Sequence, residues 1–164
     1  KALYDLIPAN DIRKAQFATA SKLAPIGKFY HPNKVIGGQR TIDADYIYMR
    51  VEEMYLLNAE ACAKTGDEAG ARKSLKAIMA LRVPDASYID ALTGKALQDE
   101  IYLQTRIELW GEGKSYLSLK RNKGTTNRGS NHLKFVGTPV PHNDTRLTFK
   151  IPIEEVQNNP NLNK

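Results

Sequence analysis

Cysteine is almost missing from this chain, and long apolar runs are missing altogether. Cys62 is the single cysteine, so no disulfide can form within the chain and its stability must come from a packed core. One thiol does not assign a compartment, because secreted bacterial proteins also do without disulfides. No stretch approaches the ~20 apolar residues that span a bilayer, and no basic-then-apolar leader opens the sequence. The first residue is Lys1 rather than Met. That start predicts a trimmed product or a piece of a longer protein, with any targeting or lipid-attachment signal in the missing part.

Patterns that carry chemistry are equally scarce. His31, His132 and His142 are isolated, without the histidine–histidine or histidine–cysteine spacing of metal sites. Ser130 lacks the glycine frame of a nucleophile elbow. No glycine-rich phosphate loop opens a helix. Catalytic signals are therefore absent, and neither a metal nor a cofactor is expected.

What remains is an ordinary globular composition. The 164 residues are 41% hydrophobic and 26% charged, which predicts one domain over residues 1–164. Folding at this length removes roughly two-thirds of the chain surface from water, enough for a core. The net charge is +6, and Lys120, Arg121, Lys123, Arg128 and Lys134 follow one another with no acid among them. Such a stretch could hold an anion or a nucleic acid. No aromatic residue interleaves between Asn122 and Lys134 to stack on bases. A solvated loop is the better reading, and no nucleic-acid partner is expected.

Three stretches differ in character. Residues 1–45 carry turn and breaker residues throughout, among them Pro8, Pro25, Pro32-Asn33 and Gly37-Gly38. This is a loop-rich opening segment in which Phe29-Tyr30 and Val35-Ile36 are short strand candidates and only Ile12–Ala20 could be helical. Residues 46–121 read as helical pairs. Ile47, Val51, Met54, Tyr55, Ala59 and Cys62 recur at helical period, with Leu56, Leu57 and Ala61 adding apolar surface on other sides. Gly66 can end that helix and Asp67 can cap the next, whose Ala71, Leu75, Ile78 and Met79 share a face. Pro84 stops it near Val83. Small Ala59 and Ala71 stand where the two helices would approach, so the pair resembles a tetratricopeptide-type unit. Thr93 is a candidate cap for a helix over Lys95–Trp110, and Gly111 and Gly113 break it before Lys114–Arg121 resumes. Residues 122–164 form a loop rich in Gly, Asn, Thr and Lys, then a tail with a helical turn whose acids lie near its start.

Glu108 and Glu112 stand four residues apart, which puts two carboxylates on one helical face. A metal or an acid–base pair would need a partner such as a histidine at helical spacing, and none is near. Structural ion pairing with Arg106, or with Arg50 on the neighbouring helix, is the expectation, and Glu53 shares the stripe of Arg50. Cys62, on an apolar face, reads as a small core residue. Among the aromatics, Tyr55, Trp110 and Tyr116 sit on helical faces and read as core. Tyr30 and Tyr88 lie in loops and are the candidate ligand-binding residues, since an aromatic ring can stack on the apolar face of a sugar.

Four segments in order then carry a resemblance. They are Leu3–Asp11 with Arg13, an Asp-x-Arg element; Arg50-Val-Glu-Glu-Met-Tyr-Leu-Leu-Asn-Ala-Glu60; Arg106-Ile-Glu-Leu-Trp-Gly-Glu-Gly-Lys-Ser-Tyr-Leu-Ser-Leu-Lys-Arg121; and Ile151-Pro-Ile-Glu-Glu-Val with Asn159-Pro160. Together they resemble the C-terminal portion of the SusD/RagB family of outer-membrane nutrient-binding lipoproteins. Ser115 and Ser118 depart from the arginine and aspartate common there, and Lys114 and Gly111 are further departures. The resemblance implies a mainly α fold, with tetratricopeptide-like helix pairs supporting long irregular loops, as part of a larger SusD-like protein. It implies non-catalytic binding of oligosaccharides or similar nutrients at the cell surface, in polysaccharide utilisation. It also implies a TonB-dependent, SusC-like barrel transporter as partner, and attachment to the outer membrane through a lipid anchor absent from this chain. The alternative is a tetratricopeptide-like protein-interaction scaffold that binds no sugar.

Overall fold

Gly66 and Asp67 turn the chain between its two best-packed helices. In this computed structural model, which describes residues 2–17, 25–26, 28, 47–130 and 132–162, helix α2 runs Val51–Thr65 and α3 runs Glu68–Met79. Gly66 takes a left-handed φ of 90°, a conformation a side chain would strain, and so ends α2. The Asp67 carboxylate accepts the Gly70 N–H at 2.9 Å and satisfies one of the unpaired donors that open α3. Before them lie α1 (Ala2–Asp5) and a 3-10 helix over Ile12–Gln16. After them come a 3-10 turn at Ser87–Ala91, α4 (Gly94–Glu108) and α5 (Ser115–Arg121). The fold is mainly helical.

The core of this region joins three helices. Leu56, Ala59 and Ala63 of α2 meet Ala71, Leu75 and Met79 of α3 and Leu97 and Ile101 of α4, with Ile89 of the 3-10 turn closing one end. Ala59 and Ala71 are fully buried. Small residues at those positions let the helices come close. Cys62 is half-buried and packs against the cluster.

The helix boundaries and one helix face differ from the sequence reading. Residues 47–50 are not helical, and Arg50 is extended at φ −144° and ψ 160°, so α2 starts at Val51. Val51, Met54 and Tyr55 are exposed, because the Leu56–Ala59–Ala63 face turns inward instead. Helix α3 ends at Met79, and hydrogen-bonded turns carry the chain on to Val83. Thr93 stands at the N-cap of α4 without a side-chain bond; the Gly94 N–H goes to Glu68 Oε1 at 2.6 Å. The strand candidates Phe29-Tyr30 and Val35-Ile36 lie outside the described residues.

The chain divides into two compact units, Lys1–Ser118 and Leu119–Lys164. The second holds a two-stranded antiparallel ladder, β1 (Thr125–Thr126) with β2 (Val140–Pro141), pairing Thr125 with Pro141 and Thr126 with Val140. It continues into a 3-10 turn at Thr145–Leu147, which Asp144 caps, and α6 (Ile153–Asn158), with Glu154 and Glu155 in its first turn. Within this unit Phe135 lies 5.7 Å from the Arg128 guanidinium and 5.0 Å from that of Arg146. No described helix is long and apolar enough to cross a membrane.

Candidate functional site

Glu108 and Glu112 sit in a dense knot of charge. Glu108 closes α4 and is 4% exposed. Its Oε2 accepts from Arg13 Nη1 at 3.1 Å and from Arg82 Nε at 3.0 Å. Its Oε1 accepts from Arg50 Nη1 and from Arg82 Nη2, each at 2.8 Å. Arg50 Nη2 also donates to the Glu108 backbone carbonyl at 2.5 Å. Gly111 and Gly113 then turn the chain with φ values of 77° and 76°, and Glu112 comes back beside the same arginine. Arg50 Nε lies 3.1 Å from both Glu112 oxygens, and Lys28 Nζ lies 2.5 Å from Oε1. The Gly-Glu-Gly spelling of the motif thus has a geometric cause: two left-handed positions flank the carboxylate they redirect.

The first 3-10 helix supplies the other side of the knot. Asp11 caps it through the Arg13 N–H at 2.8 Å, and also accepts from Arg13 Nη2 at 2.6 Å. The same Nη2 donates to Gln104 Oε1 at 2.6 Å. The Asp-x-Arg element therefore forms a capped 3-10 turn. Lys28 adds bonds to the carbonyls of Glu108 at 2.6 Å and Trp110 at 3.1 Å. Glu52 lies 3.1 Å from Arg82 and 3.3 Å from Arg50. Trp110 meets Phe17 edge-on at 5.0 Å, and Phe17 meets Tyr4 at 5.5 Å, so aromatic packing runs beside the charges.

Within this knot Glu108 is held ionised. Burial alone would raise the Glu108 pKa, but hydrogen bonds from Arg82 and Arg50, and their charges, hold it at about 2. A carboxyl so held has no proton to give near neutral pH. Burial lowers the Lys28 pKa despite its bond to Glu112. A cleft of about 240 Å³ opens over Arg13, Lys28, Arg50 and Arg82. Those cations are matched one for one by Asp11, Glu52, Glu108 and Glu112, so no positive surplus faces it. Among the described residues no group of three His, Cys, Asp or Glu is placed to hold a metal ion.

The remaining residues singled out by sequence are scattered. Arg106 is exposed and lies over the Tyr102 ring at 5.6 Å, on the side of α4 away from the glutamates, so it is not part of the knot. Glu53 Oε2 lies 3.1 Å from Lys114 Nζ, outside hydrogen-bond geometry, so that contact is coulombic. Tyr55 and Tyr116 are exposed rather than core. Tyr30 lies outside the described residues. Sequence reasoning missed Arg82, Lys28 and Gln104, whose partners lie far along the chain.

Tyr88 lines a cleft of about 340 Å³ in the first unit. Its hydroxyl donates to Glu100 Oε1 at 2.7 Å, and Gln104 Nε2 donates to the same oxygen at 2.8 Å. Burial and the neighbouring carboxylate raise the Tyr88 pKa. Asp85, also lining the cleft, accepts from Ser87 N at 2.8 Å and Ser87 Oγ at 2.9 Å. The backbone bond from Ser87, then its hydroxyl, lower the Asp85 pKa.

Comparison with known proteins accounts for the order of these motifs. No match is found among curated proteins. A crystal structure at 2.05 Å of a SusD superfamily protein from Bacteroides fragilis is similar over the whole chain, with 27% identity and a TM-score of 0.67. The chain spans 36% of the length of that relative. The model of the SusD family matches residues 4–164, from the segment before the Asp11–Arg13 turn to beyond α6. The chain belongs to the SusD family.

Proposed function

We propose that the protein is part of a larger SusD-like lipoprotein that binds oligosaccharides or similar nutrients at the bacterial outer-membrane surface, without catalysis. In this reading it hands its ligand to a TonB-dependent, SusC-like barrel transporter, and a lipid anchor elsewhere in the full-length protein holds it to the membrane. The observation that carries the proposal is the family match over residues 4–164. The chemistry of the knot is in keeping with it, since Glu108 is saturated by guanidinium donors. The motif running from Arg106 to Arg121 then serves as scaffold, joining the opening segment to the helices.

Calorimetry of the full-length parent against a panel of polysaccharides and peptides, with co-purification from outer membranes, tests this. Binding of a glycan and recovery of a barrel transporter are expected; neither ligand nor transporter would overturn it. A second reading, a protein-interaction scaffold, draws on one observation: Tyr48, Met49, Val51, Met54 and Tyr55 leave a row of large apolar side chains exposed. Pull-down of a soluble partner lost on Val51→Asp, with no transporter recovered, would favour that reading.

A further inference from the structure

The cleft beside Tyr88 has a chemical bias that the charged knot lacks. Leu6, Pro8, Val83 and Leu103 give it an apolar wall, and the Tyr88 ring, 42% exposed, gives it a flat face. Its volume of about 340 Å³ falls at the low end of small-ligand pockets. The polar groups around it are Asn10, Asp85, Glu100 and Gln104. Both hydrogen bonds that fix Glu100 go to Oε1, which leaves Oε2 free of a hydrogen bond among the described residues. Gln104 is committed on both sides, donating to Glu100 and accepting from Arg13. Arg13, behind this wall, is already neutralised by Asp11 and Glu108. The cleft thus offers two carboxylates, an aromatic face and no lining cation.

We propose that this cleft is a subsite for a saccharide unit carrying a free, protonated amine. The site rests on the nutrient-binding reading above and narrows its ligand class. An ammonium at Glu100 Oε2 gains a charge-assisted hydrogen bond, stronger than that of a neutral hydroxyl, and the charge of Asp85, whose oxygens already accept from Ser87, adds attraction across the cleft. The apolar face of the sugar ring covers Tyr88, whose orientation is fixed by its bond to Glu100. An aromatic face beside the amine adds cation–π attraction. A neutral hexose keeps only the stacking and hydroxyl contacts, an N-acetylated one loses the cation, and a uronic acid meets two like charges.

The test is an amide chemical-shift titration of the protein with glucosamine, glucose, N-acetylglucosamine and glucuronate. It is run at about pH 6, where an amine of α-amino basicity is protonated and a carboxyl is not. Glucosamine is expected to shift amides around residues 85–104 and to bind about tenfold more tightly than glucose, the usual gain from one charged hydrogen bond. Glu100→Gln keeps an oxygen for Tyr88 and Gln104, so the fold stays and the glucosamine advantage disappears. Tyr88→Ala abolishes binding of both sugars at the cleft while distant amides stay in place. Equal affinity for glucose, N-acetylglucosamine or glucuronate, or no effect of Glu100→Gln, overturns the subsite. If the parent still binds a polysaccharide while the cleft titrates with nothing, only the subsite falls. If both fail, the nutrient-binding reading falls with it.

Discussion

Glu108 receives more guanidinium donors than any single ion pair needs, and its cost of burial is offset only while all of them are present. Transfer of a carboxylate from water is expensive, and removing one side of a buried pair leaves the other side uncompensated. Glu108→Gln keeps the shape and removes the charge, leaving Arg13, Arg50 and Arg82 facing one another. We expect a loss of about 3–5 kcal/mol in chemical denaturation. The control Glu154→Gln, at an exposed position, should stay within about 0.5 kcal/mol. The same residue predicts a pH response. Its pKa falls from 4.5 to about 2 on folding, so the native state binds its proton less readily than the unfolded chain. The stabilisation is whole above pH 4.5, shrinks as pH falls, and is gone below about 2. On the order of 3 kcal/mol is at stake, at about 1.4 kcal/mol per pKa unit. Denaturation midpoints measured across that window should fall steeply in the native protein and less steeply in Glu108→Gln. Parallel slopes would show that Glu108 does not titrate there.

At the scale of elements, the α2–α3 hairpin is where sequence and structure agree most closely, and Gly66 shows why. Its φ of 90° is strained for any residue with a Cβ, although nothing lies within 4 Å of where that Cβ would stand. Gly66→Ala should therefore lose about 1–2 kcal/mol from backbone strain alone, with no change in packing. Thermal melts of that variant beside Ala69→Ser, an exposed helical control, check the value; equal melting would place Gly66 outside the left-handed region. Turn chemistry of this kind is local, and so it is legible. The buried face of α2 was not. Val51, Met54 and Tyr55 recur at helical period as well as Leu56, Ala59 and Ala63 do, and period alone cannot choose between two apolar faces. The packing of α3 and α4 against it decides it. The knot was half legible for the same reason. Helical spacing drew attention to Glu108 and Glu112 and suggested Arg50, but α4 ends at Glu108 and the Gly111–Gly113 turn, not a shared helical face, brings Glu112 back; Arg82 and Lys28 reach them across stretches of chain that no local pattern relates. The cleft beside Tyr88 depends on Leu6, Val83 and Glu100 converging, and only the ring's position in a loop could point to it.

Across the whole molecule, stability should be spread unevenly, because the two units bury different amounts of apolar side chain. Within Lys1–Ser118, Leu56, Ala59, Ala71, Leu75, Ile89, Leu97 and Ile101 are essentially sealed from water, and three helices share them. Exposing any one of their amides requires the helices to part. Within Leu119–Lys164 the buried hydrophobic residues are Leu119 and Val140 among those described, and each strand has two residues. Leu133 and Phe149 stand almost wholly in solvent. Backbone hydrogen bonds there can open one at a time, with little apolar surface exposed and so little free energy required. Native-state hydrogen exchange should therefore rank amides of 56–79 and 97–107 as slowest, exchanging only through global unfolding. Amides of 125–140 should exchange by local opening, orders of magnitude faster and with weak dependence on denaturant. Added glucosamine should slow residues 85–104 without altering those of 125–140, because the proposed subsite lies wholly within the first unit. Protection of 125–140 equal to that of the helices would mean that its few buried side chains understate what holds it, and that the two units unfold together.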